Sequence, residues 1–227
     1  MGIKLKRWKS WLPIVIWGTI GLLLAAFFIT VFVRERIYYG EKEGSERATS
    51  IVTEETETVS EEVPAEEEVV SYTVSPDKPR YLSIEKLGIQ NSRVLEMGLT
   101  NGGALDTPNN VFDVGWYRAS GKPGQGGTML IDGHNGGPHV EGIFKHLDTL
   151  TPGDIIKVER GDGKVFKYSV VENYEISLDE ANSKMHLMEQ SPVPGKESLS
   201  LITCIGEWSL SQNTYLSRQF LRAVITE

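Results

Sequence analysis

From about residue 76 to the C-terminus the chain is cut into short apolar stretches, each closed by Gly, Pro, Asn or Asp, and this punctuation most restricts its fold. The stretches 80–84, 92–96, 128–132, 155–160, 165–176, 199–204 and 220–225 are rich in Val, Ile, Tyr and Phe, which suit a pleated, half-buried surface. Asp162-Gly163 lies between two of them and has the chemistry of a tight hairpin turn. Helical material is confined to two short segments, 142–147 and 179–188. Many short strands and few helices in about 150 residues predict one all-β domain, a barrel or a sandwich, over residues 76–227.

The preceding residues have a different character. Residues 1–10 carry Lys4, Lys6, Arg7 and Lys9 and no acid, and residues 11–33 carry no charge. As a helix rising about 1.5 Å per residue, that uncharged run would reach roughly 34 Å, enough to cross a hydrocarbon core of about 30 Å. A cleaved signal peptide would show an apolar core of only about 7–15 residues and then a small-residue cleavage site. Phe27, Phe28, Val31, Phe32 and Val33 fill that place here. The run therefore reads as one transmembrane helix anchored in the cell membrane. By the positive-inside rule, the basic tail stays in the cytoplasm and everything after Val33 is exported. Residues 34–75 are acidic, rich in Glu, Thr and Ser and without an apolar period. They predict a flexible, self-repelling stalk, with a short helix as the alternative. The formal net charge of −8 comes largely from this stalk, and it argues against a nucleic-acid binder, which would show a basic face.

Within the β domain the chemistry narrows to a few residues. Cys204 is the only cysteine, so the chain has no internal disulfide. It ends the apolar run 199–204, just before Gly206. A thiol at a strand end is held rigidly beside a loop, as a nucleophile must be; the plain alternative is a small core hydrophobe. A free thiol with a pKa of about 8.5 is mostly protonated at neutral pH, so a nucleophilic role needs a proton partner. His134 qualifies. It follows the apolar run 128–132 and sits in Gly133-His134-Asn135-Gly136-Gly137-Pro138, whose glycines leave room for a substrate backbone; a turn histidine is the alternative. His139 and His146 follow, but their spacing fits no zinc pattern, and neither a metal nor a cofactor is expected. Acyl transfer builds negative charge on a carbonyl oxygen, which a fixed guanidinium would offset. Arg218 and Arg222 both offer one. Alternation along a strand puts them on one face with Phe220, so parity does not separate them.

These residues in this order resemble the sortases, a family of membrane-anchored bacterial cysteine transpeptidases. The resemblance runs from about residue 81 to 225. It is carried by Gly133-His134, by Phe144-x-x-Leu147-Asp148-x-Leu150-x-Pro152-Gly153-Asp154, by Leu201-Ile202-Thr203-Cys204, and by Arg218-Gln219-Phe220-Leu221-Arg222-Ala223. The order His, then Thr-Cys, then Arg matches the family, whereas papain-like cysteine enzymes place Cys before His. Val114-Gly115-Trp116-Tyr117 with Pro123-Gly124-x-x-Gly127 is similar to sortases of class F and to general-purpose ones, although those relatives often carry a different residue at the Arg218 position. The resemblance implies an eight-stranded β-barrel with short helices. It implies Cys204 as nucleophile, His134 as its proton partner, and Arg218, five residues before Ala223, as the group that holds substrate and steadies the oxyanion. Thr203 would line the groove and assist there. The implied substrates are exported proteins with a C-terminal sorting signal of the Leu-Pro-x-Thr-Gly type. The acyl group would pass through a thioester on Cys204 to an amine of a cell-wall precursor or a pilin lysine. Two other outcomes fit the same residues: a peptidase with water as acceptor, and a non-catalytic, membrane-tethered barrel that binds a wall polymer. Substrate choice is expected in the loops 172–194 and 207–214, with Trp208 as a groove wall.

Overall fold

Eight strands close into a barrel in the computed structural model, which describes residues 59–226 except Gly102. The basic tail, the anchor and the stalk up to residue 58 lie outside the described residues. No described helix is long and apolar enough to cross a membrane. The strands are β1 (Pro79–Ile84), β2 (Ile89–Met97), β3 (Val114–Tyr117), β4 (Thr128–Gly133), β5 (Ile155–Arg160), β6 (Val165–Ser177), β7 (Ser198–Ser209) and β8 (Thr214–Ile225). In hydrogen-bonded order they run β1-β2-β3-β4-β7-β8-β6-β5 and return to β1. The β2–β3 and β4–β7 pairs are parallel; the remaining neighbours are antiparallel. Closure removes the open sheet edges that would otherwise invite pairing with other chains.

Side-chain parity sorts the strands into two packed layers. Met129 and Ile131 of β4 join Trp116, Leu199, Leu201 and Leu221 inside the barrel. Leu130 has the opposite parity and packs with Ile202 and Phe220 in a second apolar cluster. That cluster is covered by Ala181 of a short helix, α2 (Leu178–Lys184), and by Met188 of the 3₁₀ turn Met185–Glu189. Both faces of β4 are thus buried, which is why its sequence reads as an unbroken apolar run. The start of α2 is set by Ser177, whose Oγ accepts a hydrogen bond from the Glu180 amide.

Several expectations are corrected. β3 falls in a stretch that carries no strand signal. Four residues containing Gly115 carry no readable period, and their extended form comes from pairing with β2 and β4. Segment 142–147 is not a helix but a run of turns leading into the 3₁₀ turn Leu147–Thr149. Its internal hydrogen bonds are of the i→i−3 kind, Lys145 to Gly142 O (3.0 Å) and Leu147 to Phe144 O (3.1 Å), while Ile143 donates outward to Val111 O (2.8 Å) and Phe144 to His134 O (3.0 Å). β7 and β8 run deep into the expected loop 207–214, leaving only residues 210–213 at the hairpin tip.

The last part of the expected stalk is ordered on the barrel. Ser60 exchanges hydrogen bonds with Asn109 O (2.6 Å) and the Val111 amide (3.0 Å). A one-turn helix, α1 (Glu66–Ser71), follows, and Tyr72 donates its hydroxyl to Val94 O (2.7 Å). An acidic composition predicts solvation, but these backbone and phenol groups find partners that no local pattern reveals.

Candidate active site

On the outer face of β4, β7 and β8 the side chains fall into rows. Parallel pairing sets Asp132 beside Ile202, and antiparallel pairing sets Ile202 beside Phe220 and Cys204 beside Arg218. Carried two residues beyond the Asp132–Ile202 pair, the parallel register brings His134 opposite Cys204. His134, Cys204 and Arg218 therefore share a row that begins just past the end of β4 and crosses the middle of β7 and the first half of β8. All three line one groove of about 710 Å³, with Leu105, Tyr117, Met185 and Trp208 among its apolar walls.

The backbone around His134 is locked. A Cβ on Gly133 would lie 2.6 Å from the Phe144 ring, so only glycine lets Phe144 pack under the strand end. The His134 carbonyl accepts from the Phe144 amide, and the following loop closes through Gly142 N to Asn135 O (2.9 Å). On the ring, Nε2 lies 2.7 Å from Pro108 O. A carbonyl can only accept, so Nε2 carries the hydrogen and donates it, and Nδ1 is the nitrogen left for other chemistry.

Cys204 sits midway along β7 and is half-buried. Burial pushes its thiol above the ordinary range; the Arg218 guanidinium draws it down and Asp132 pushes it up. Beyond Cys204 the strand bulges at Gly206, whose φ of 86° suits glycine, and resumes with Trp208 edge-on to Tyr215 at 5.1 Å between centroids. Trp208 thereby stands at the groove, as expected.

The structure separates the two arginines that parity left equivalent. Arg218 is held by backbone: Nη1 donates to Tyr215 O and Ser217 O (both 2.9 Å) and Nη2 to Thr214 Oγ1 (3.2 Å). Of its five donors, Nε–H and one Nη2–H remain beside Cys204. Arg222 lies away from the groove, paired with Glu172 and donating to Gln190 O (2.9 Å). Thr203 borders the groove, but its hydroxyl hydrogen goes to Gly133 O (2.8 Å). The expected help at an oxyanion is thus not available while that bond holds; Thr203 ties β7 to the strand end that carries His134.

Two contributors escaped the sequence reading. Pro108 holds His134 from an irregular loop with no pattern to mark it. Asp132 was seen only as the end of a strand, although an acid closing the run Thr128-Met129-Leu130-Ile131 was the available signal. It is buried, and burial pushes its carboxyl up to about 8; its own backbone amide pulls the other way, and nearby Asp106 pushes it further up.

A comparison with family models matches the Sortase domain over residues 82–224. Among solved structures, sortase C-1 from Actinomyces oris aligns at 19% identity over 68% of this chain and 76% of its own, with a TM-score of 0.48. The Clostridium perfringens sortase D5 transpeptidase aligns at 20% identity over 72% and 90%, with a TM-score of 0.46. Sortase A from Corynebacterium diphtheriae aligns at 20% identity over 68% and 62%, with a TM-score of 0.47. No curated protein sequence matches the chain. The Sortase domain model covers well over half of the residues, and the chain belongs to the sortase family.

Proposed function

We propose that this sortase is a cysteine transpeptidase, held at the outer face of the cytoplasmic membrane by residues 11–33, that cleaves a Leu-Pro-x-Thr-Gly-type signal and transfers the acyl group to an amine. The observation that carries the reading is the row His134–Cys204–Arg218 lining one groove of about 710 Å³. Because burial raises the Cys204 thiol, the resting site holds a neutral sulfur. Nδ1 of His134 takes the thiol proton as Sγ attacks the Thr carbonyl. The free N–H groups of Arg218 meet the oxygen as it becomes negative. His134 then gives that proton to the leaving Gly amine, the C–N bond breaks, and a thioester remains on Cys204. An incoming amine, from a wall precursor or a pilin lysine, attacks the thioester and releases Cys204. The steps need no cofactor.

The test uses the detergent-solubilised full chain with a sorting-signal peptide. Mass spectrometry should find the acyl fragment on Cys204, and added triglycine should divert the product from acid to amide. Acid alone at every triglycine concentration would support a peptidase; no adduct at all would leave a binding role and sink the proposal. The two arginines give a second check. Arg218→Ala should lower kcat by about 10²–10³-fold with the melting temperature little changed. Arg222→Ala should instead cost about 1–3 kcal/mol of stability, by stripping the Gln190 carbonyl and Glu172 of their donor, and leave acylation near wild type. A larger kinetic defect in the Arg222 variant would reverse the assignment.

A further inference from the structure

We propose that Asp132 is a specificity-determining residue: its carboxyl hydrogen-bonds a hydroxyl side chain on the acyl-donor residue whose carbonyl meets Cys204. The inference rests on the transpeptidase reading and adds the group that selects at that subsite. Asp132 is only 7% exposed, yet it lines the groove. It lies two residues before His134 on the same outer face, beside Ile202 and diagonal to Cys204, close enough that its carboxylate, once ionised, acts on the thiol. Its Oδ2 has no hydrogen-bond partner among the described residues. The fold makes room for this carboxyl: across the β3–β4 pair stands Gly115, where a Cβ would lie 2.5 Å from Asp132 Oδ1. A buried polar atom left unpaired destabilises the free protein, and a site that pairs it only with ligand rejects isosteres that lack the polar group. Burial keeps the carboxyl protonated at neutral pH, so it presents both a donor and an acceptor, the complement of a hydroxyl.

The test compares two sorting-signal peptides that differ only by Thr or Val at the acyl-donor position, on full-length wild type, Asp132→Ala and Asp132→Asn. Wild type should favour Thr in kcat/KM by about tenfold or more, Asp132→Asn should keep much of that preference, and Asp132→Ala should reduce it to about threefold or less. The Ala variant should melt at or above the wild-type temperature, because it removes an unpaired buried group. Its stability should also lose a pH slope. The unfolded chain releases this proton near its ordinary value of 3.8, the folded one at about 8, so wild-type stability falls as pH rises between them. Asp106, His134, Cys204 and Arg218, the charged or titratable groups around it, are unchanged in the variant. An unaltered Thr preference, or an Ala variant that melts lower or fails to fold, would overturn the proposal. Failure of both peptides to acylate wild type would bring down the transpeptidase reading and this inference with it. Acylation by both, with equal preference in wild type and variant, would bring down this inference alone.

Discussion

Cys204→Ala is expected to abolish acyl transfer, with turnover falling by about 10⁴–10⁶-fold and no acyl-protein adduct in the mass spectrum. The chain contains no second cysteine that could substitute. Because Cys204 is half-buried on the outer face, and the barrel interior is filled by its neighbours Leu199 and Leu201, the change removes one sulfur from a groove and none from the core. The melting temperature should therefore move little. Binding of the sorting-signal peptide should persist, since the apolar walls and Arg218 remain, and calorimetry on the variant measures it without turnover. Retention of more than about one-hundredth of wild-type turnover would place the nucleophile elsewhere.

His134→Ala is expected to lower kcat by about 10²–10⁴-fold, the range for loss of a positioned general acid–base. Its distinguishing signature is the proton on the leaving amine. A peptide analogue with a thioester in place of the scissile amide needs no such proton and should recover the part of the lost rate that belongs to leaving-group protonation, while removal of the Cys204 proton stays impaired. Pro108 has a part in this. Its carbonyl accepts from Nε2–H at 2.7 Å, which leaves Nδ1 as the nitrogen free to exchange a proton, so losing the ring also leaves that carbonyl unpaired at a cost of about 1 kcal/mol. Equal defects on amide and thioester peptides would mean that His134 does not supply the proton to the leaving amine.

The strand punctuation placed every predicted strand correctly in kind, and the order His, Cys, Arg along the chain is matched by a shared row in the barrel. What escaped was decided by non-local pairing. Val114-Gly115-Trp116-Tyr117 is extended because β2 and β4 flank it. Residues 142–147 wind into i→i−3 turns tied by Ile143 and Phe144 to Val111 and His134. Residues 59–75 looked like solvated stalk until Asn109, Val111 and Val94 supplied partners.

The same division holds at the site. Residue type and strand parity alone establish that a thiol and a guanidinium stand on strands and an imidazole just after one, because these follow from side-chain chemistry and from a period of two; that β7 continues past Cys204 is the work of its pairing with β8. Parity says which face a side chain takes and nothing about what covers that face. Only the tertiary structure set Arg218 in the groove and tied Arg222 to Glu172, gave the Thr203 hydrogen to Gly133, and buried Asp132 with one oxygen unpaired. Those outcomes depend on the β4–β7 and β7–β8 registers and on the loops packed over them, and register is a property of paired strands that neither strand carries alone.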